Sequence, residues 1–238
     1  MIKDTIRQFS RYAKSYRKHN HIQKLAAEKT IEMAGRTRFG NIVDIGCGDG
    51  EIYRQLRIKN ISFANYFGID LSAEMLQLHP VSDNTVLLNM DFEDPVLPEY
   101  FKEKSIDAIF SSSALQWCTD PCRLFASLSE FCGNLYLSFF TEKTFEDLLS
   151  FAGASSPLCP SADILAEAKK HYTVETFEEM GFRVHFDSTR EMLSYIKYSG
   201  VSGGRAVLDY RGIKRVEREY GRRVLDIEIV FVSLKKKP

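Results

Sequence analysis

Several features that would place the chain in a specialised class are missing. Charge of one sign is the first: 32 Lys and Arg balance 32 Asp and Glu over 238 residues, a formal net charge of zero. A protein whose main task is gripping a nucleic-acid backbone needs a basic face, so no nucleic-acid partner is expected. The closing LKKKP is basic but short and reads as a solvated end. Long apolar runs are also absent. No stretch approaches the length of a membrane span, and none follows the first basic residues as a secretory leader would. A cytoplasmic protein without membrane contact is expected. Cysteine is sparse and irregular: Cys47, Cys118, Cys122, Cys132 and Cys159 are odd in number, and no second Cys/His pair joins Cys118 and Cys122. This excludes a disulfide framework or a structural zinc site and predicts reduced thiols and no metal. Internal repeats and low-complexity tracts are missing too. What remains is an ordinary globular composition, 44% apolar and 27% charged, enough for one domain spanning residues 1–238.

The patterning within that domain alternates strand and helix. Residues 2–34 look helical, with Ile22, Leu25, Ala26, Lys29 and Met33 at roughly helical spacing. NIVDIG reads as a buried strand, Glu51–Ile58 as a helix, and YFGIDL as a second strand. Ser72 caps a short helix beginning AEML, which His79 and Pro80 end. TVLLNMDF is a third strand, and EDPVLPEYF a proline-punctuated loop. SIDAIFSSSAL is a fourth strand and its exit, Cys122–Phe131 a helix, and NLYLSFF a fifth strand. This order predicts a mainly parallel sheet with helices on both faces. Residues 141–170 hold two further helices and look like an insertion. Thr173 is expected to cap a helix over VETFEEM that Gly181 closes. FRVHFD is a sixth strand, REMLSYIKYSG and RGIKRVEREYG are helices, and VLDIEIVFVSL is the final strand.

The chemistry centres on VDIGCGDG. Gly46, Gly48 and Gly50 follow the first strand at a spacing of GxGxG, not the GxGxxG of a dinucleotide site, and no GxxxxGK[ST] phosphate loop occurs. Asp49 and Glu51 make the turn anionic, unwelcoming to a pyrophosphate. Asp44, just before the turn, suits an ammonium or a water. Asp70 ends the second strand about twenty residues on, where an acid binds ribose hydroxyls. Asp91 and Phe92 end the third strand, where they suit an adenine amino group and ring. An adenosine bearing a charged amino-acid tail fits this set: S-adenosylmethionine.

With these residues the sequence resembles the class I S-adenosylmethionine-dependent methyltransferases. VDIGCGDG matches their first motif, GIDLS the second and NMDF the third, and the likeness continues through IDAIFSSSALQW. The resemblance implies a doubly wound, seven-stranded, mostly parallel Rossmann-like sheet in the order 3-2-1-4-5-7-6, its last strand antiparallel. It also implies S-adenosylmethionine bound by Asp44, Gly46, Cys47 and Gly48, by Asp70 and Leu71, by Asp91 and Phe92, and by Ser111.

FSRYAKSYRKHNHIQ further resembles the opening F-x-R-A-A-x-x-Y-x-x-x-A-x-x-Q of the malonyl-[acyl-carrier-protein] O-methyltransferases of biotin synthesis, with Phe9, Arg11, Ala13, Tyr16 and Gln23 at matching positions. ALQWC and the lid-like SYIKYSGV also match that family. FFTEKTFEDLLSFAG departs from it, standing where relatives carry a GSLPEL-like run. This resemblance implies methylation of the free carboxylate of malonyl-acyl-carrier protein, with residues 1–24 as a helical lid and residues 141–171 and 188–220 as helical additions over the substrate side. Tyr16, His19, Trp117 and Arg205 are the candidate substrate residues. Arg7, Arg11, Lys14, Arg17 and Lys18 form a candidate basic rim for an acidic carrier. A carboxylate is already ionised at neutral pH, so no catalytic dyad is expected. A monomer or weak homo-oligomer is expected. Two other readings are a methyltransferase for a small free polycarboxylate such as trans-aconitate, and a noncatalytic partner protein of the same fold. The SSSA that follows the fourth strand, where an NPPY-like tetrad would stand, argues against amino-group methylation.

Overall fold

The computed structural model describes residue 17, residues 19–201 and residues 208–238. After helix α1 (His21–Met33), strands and helices alternate: β1 (Arg38–Ile45), α2 (Glu51–Ile58), β2 (Ser62–Asp70), α3 (Ala73–Leu76), β3 (Thr85–Asn89), α4 (Leu97–Phe101) and β4 (Ile106–Ser112). A 3-10 turn (Leu115–Trp117), α5 (Pro121–Phe131), β5 (Asn134–Phe140), α6 (Glu146–Ala152), α7 (Ser161–His171), β6 (Tyr172–His185), α8 (Thr189–Tyr198), α9 (Tyr210–Glu219) and β7 (Val224–Lys236) follow.

The strands form one sheet in the order β3-β2-β1-β4-β5-β7-β6. The first five are parallel, and β7 runs antiparallel to both β5 and β6. The sheet therefore has the order and direction that the family resemblance implied. Ile42, Val43 and Ile45 of β1 are fully buried, as a central parallel strand covered on both faces requires.

Period-two alternation distributes side chains between the faces. Along β7, Leu225, Ile227, Ile229 and Phe231 join the cluster containing Leu148, Met192 and Val216 of α6, α8 and α9. Val230, Val232 and Leu234 point the other way, onto Phe125 and Leu128 of α5 and Ile164 and Ala168 of α7. The segment after β5 is therefore divided. Only α6 joins α8 and α9, whereas α7 packs beside α5 as part of the sheet's ordinary cover, not as an inserted element.

Three expectations about secondary structure fail. Of the helix expected over residues 2–34, the described part begins only at His21, with Asn20 at its N-cap position. Thr173–Gly181 is not a helix but the first part of β6, which pairs with β7 along its whole length. The Thr-x-Glu pattern is a local signal of modest energy. The long β7 offers a full ladder of backbone partners, and Thr173, Val174, Thr176 and Phe177 favour strands. Met180, Phe182 and Val184 alternate inward onto the cluster that β7 also lines. EDPVLPEYF is not all loop, because α4 forms at its end and buries Leu97 and Phe101. These two residues supply the core contacts a five-residue helix needs to persist.

Candidate active site

The carboxyl ends of the strands and the start of α1 enclose one cleft. It is lined by residues that include Asn20, Gln23, Asp44, Gly46, Cys47, Gly48, Asp70, Leu71, Asp91, Phe92, Ser112, Ser113 and Trp117. Open parallel sheets bind ligands at this edge.

The turn after β1 is shaped by two glycines in particular. Gly46 has φ +69°, and a Cβ there would lie 2.2 Å from Cβ of Ala114. Gly50 has φ +89°, and a Cβ there would meet His79 at 2.6 Å. Both positions thus need a residue without a side chain, for conformation and for space.

Asp44 lies at the end of β1, 1% exposed. Its Oδ2 accepts from Tyr66 Oη at 2.5 Å, while Oδ1 is buried with no partner among the described residues. Gly68 precedes Asp70 on the same strand. A Cβ there would crowd Cys47 Sγ, Leu87 and the Tyr66 ring, so the bare residue makes room for this arrangement. Behind Tyr66 stands His79, its Nε2 3.1 Å from the phenol oxygen and its Nδ1 2.6 Å from the carbonyl of Pro80. A carbonyl only accepts, so Nδ1 carries the ring hydrogen. Burial lowers His79 to a pKa of about 4, so the ring is neutral and Nε2 is an acceptor. Tyr66 has one hydrogen for two acceptors. If Asp44 is protonated, the chain Asp44–Tyr66–His79 is fully satisfied; if it is ionised, His79 Nε2 is left without a donor. Burial pushes Asp44 up to about 8, against the opposing effect of the Tyr66 hydrogen bond. The buried Oδ1 is the group an ammonium would pair with, and that pairing would favour the ionised form.

Asp70 is pre-oriented by the backbone: Oδ2 accepts from Gly48 N at 2.9 Å and Oδ1 from Ser72 N at 2.8 Å. A carboxylate has further lone pairs, so these bonds hold it in place without exhausting it as an acceptor. Burial still raises its pKa. Asp91 Oδ1 accepts from Glu93 N at 2.9 Å, closing a local turn beside Phe92.

The remaining candidates separate. Cys47, Leu71 and Trp117 line the cleft. Burial drives the Cys47 thiol well above its usual range, so it is a neutral wall group. Ser111 is a correction. It is fully buried within β4, its hydroxyl donates to the carbonyl of Ile45 at 2.9 Å, and the next two serines, Ser112 and Ser113, reach the cleft in its place. Successive residues of a strand face opposite sides, which turns Ser112 away from the side Ser111 takes, and Ser113 lies past the end of β4. His19 is not among the lining residues either; its ring stacks on Tyr198 with centroids 5.6 Å apart. Tyr16 and Arg205 lie outside the described residues, as do Arg7, Arg11, Lys14 and Lys18 of the basic rim. Arg17 is described and pairs with Asp49 at 3.3 Å. Arg54 lies 3.4 Å from both Asp49 and Glu51, so the acids of the glycine turn are already compensated. The case against a phosphate therefore rests on glycine spacing and the missing lysine.

Glu93 was not singled out from the sequence, yet it organises the loop carrying Trp117. It is buried and accepts from Thr119 N at 3.1 Å, Thr119 Oγ1 at 3.0 Å and Asp120 N at 2.7 Å. Nothing local in EDPVLP marks this role, because its partners lie some 26 residues away.

Residues 43–132, from β1 through α5, match the methyltransferase domain family. The chain carries a methyltransferase domain. This methyltransferase is 28% identical over 220 residues to malonyl-[acyl-carrier protein] O-methyltransferase 1 of Ilyobacter polytropus, covering 87% of this chain and 80% of the relative. It is 27% identical to the malonyl-[acyl-carrier protein] O-methyltransferase of Erwinia billingiae, covering 90% and 88%. In fold it is similar to the YcgJ protein of Bacillus subtilis, with TM-score 0.64 and 12% identity over 90% of this chain and 98% of that one. It also resembles phosphoethanolamine N-methyltransferase 2 of Haemonchus contortus, solved with S-adenosylhomocysteine, with TM-score 0.53 and 18% identity over 89% and 52%. No helix among the described residues is long and apolar enough to cross a membrane.

Proposed function

We propose that this methyltransferase takes S-adenosylmethionine as methyl donor and methylates the free carboxylate of malonyl-acyl-carrier protein in the early pimeloyl branch of biotin synthesis. The residues present fit the donor. Asp44 offers a buried unpartnered oxygen to its ammonium, the turn at Gly46 admits close backbone approach, Asp70 faces its ribose, and Asp91 with Phe92 borders its adenine. When bound, the donor supplies an electrophilic methyl group on a sulfonium.

The substrate assignment is carried by the relatives, which cover 87% and 90% of the chain and bear that activity in their names. The lining supports it. The nucleophile is an already ionised carboxylate, so the protein has only to orient it, exclude water and bring it into line. The cleft wall holds no Lys, Arg or His among the described lining residues. A free polycarboxylate such as trans-aconitate would bring several charges against that wall, whereas a malonyl thioester brings one. Rates on malonyl-carrier and on free trans-aconitate separate the two: the proposal expects turnover of the carrier substrate, and faster turnover of the free acid would defeat it.

Tyr16 and Arg205 are assigned to the far end of the malonyl carboxylate. Arg205→Ala is expected to lower malonyl turnover and leave S-adenosylhomocysteine affinity within about twofold, since the loss falls on substrate orientation. Unchanged turnover would return Arg205 to an ordinary loop charge.

A further inference from the structure

Asn20 sits at the N-cap position of α1, where Asn normally accepts a hydrogen bond from the first turn. Here its side chain makes no cap bond. It is fully buried, lines the cleft, and neither Oδ1 nor Nδ2 has a partner among the described residues. A buried amide with both atoms unpaired is costly, and such groups persist where a ligand completes them. A second orphan belongs to the same cleft: Trp117 lines it, and its buried Nε1 has no partner among the described residues. The first turn of α1 carries no acidic residue, so its positive dipole end adds to this side of the wall. Gln23, one turn on, is committed differently, its Nε2 donating to the carbonyl of Ser199 at 2.5 Å.

We infer that Asn20, with the Trp117 indole, seats the carboxylate that receives the methyl group. The inference rests on the carboxylate-methylation reading above and names a contact for it. Neutral donors suit this reaction. An anionic oxygen and a cationic sulfonium both lose their charge, so a full positive charge on the attacking oxygen would stabilise reactants more than the transition state. N–H groups of Asn and Trp orient the oxygen with less of that penalty.

The test uses the whole protein with Asn20→Ala and Asn20→Leu. Both variants are expected to raise the KM for malonyl-carrier by about fivefold or more, the worth of one hydrogen bond. Affinity for S-adenosylhomocysteine is expected to stay within about twofold. The melting temperature should be equal or higher, because an unpaired buried amide is gone. An unchanged KM in an active enzyme overturns the inference. Lost affinity for S-adenosylhomocysteine with retained affinity for 5′-methylthioadenosine, which lacks the amino-acid end, also overturns it, moving Asn20 to the donor's own carboxylate. A wild-type enzyme inactive on malonyl-carrier defeats the proposed function itself, and with it this contact.

Discussion

Asp44 shows at the scale of one residue how position becomes chemistry. It ends a central strand, so it is stripped of water, and its single described partner is a tyrosine that shares one hydrogen between it and His79. The free carboxyl titrates near pH 8 because burial penalises its charge. For stability the sign is clear: a folded pKa raised above the unfolded one favours folding most below about pH 4 and loses that contribution as pH rises toward 8. For binding the sign reverses. An ammonium at Oδ1 requires the ionised form, so donor binding releases a proton in that window. Affinity for S-adenosylhomocysteine should rise with pH by up to about tenfold per unit below pH 8 and level off above. Calorimetry in buffers of different ionisation heat reads the proton directly, and Asp44→Asn should abolish both the release and the slope. A flat affinity from pH 6 to 9 in the wild type would show that Asp44 is already ionised when free. Asp44 and Asp70 were legible in the sequence because strand-end acids around a glycine turn are a local pattern. Tyr66 and His79 were not, since their role arises only when β2 lies beside β1 and Gly68 leaves space for the ring.

At the scale of elements, the loop after β4 depends on a carboxylate from elsewhere. Glu93 holds Thr119 and Asp120 by their backbone N–H groups, and the 3-10 turn bearing Trp117 leads directly into them. Glu93→Ala should therefore leave buried donors unpaired and cost about 1–3 kcal/mol. Its effect on turnover should be larger than a distant core mutation of equal destabilisation, about tenfold, because Trp117 loses its frame. Urea denaturation and steady-state rates check both. A variant as active and stable as the wild type would show that the loop needs no such anchor. The misread β6 teaches the complementary lesson. Its local residues tolerate either a capped helix or a strand, and the choice was made by β7, whose backbone demanded a partner on its second edge.

For the whole molecule, the strand–helix rhythm was enough to foresee a parallel sheet, since such units join with one handedness and stack in few ways. The reversal of β7 is written in no local pattern and came from the family likeness. The split of α6 and α7 between faces was invisible for the same reason: both are short amphipathic helices, and only the alternation along β5 and β7 determines which face each covers. The donor site is accordingly better read from sequence than the acceptor site. The proposed donor site draws on strand ends in order, the proposed acceptor site on the start of α1 and a loop pinned by Glu93. The acceptor is therefore the central claim, and mass spectrometry of malonyl-loaded acyl-carrier protein, incubated with the enzyme and S-adenosylmethionine, tests it most directly. The account predicts that the malonyl group gains the mass of one methyl in place of a proton, dependent on enzyme and donor. An unmodified malonyl group, in a preparation that transfers the methyl to a different acceptor, would contradict it.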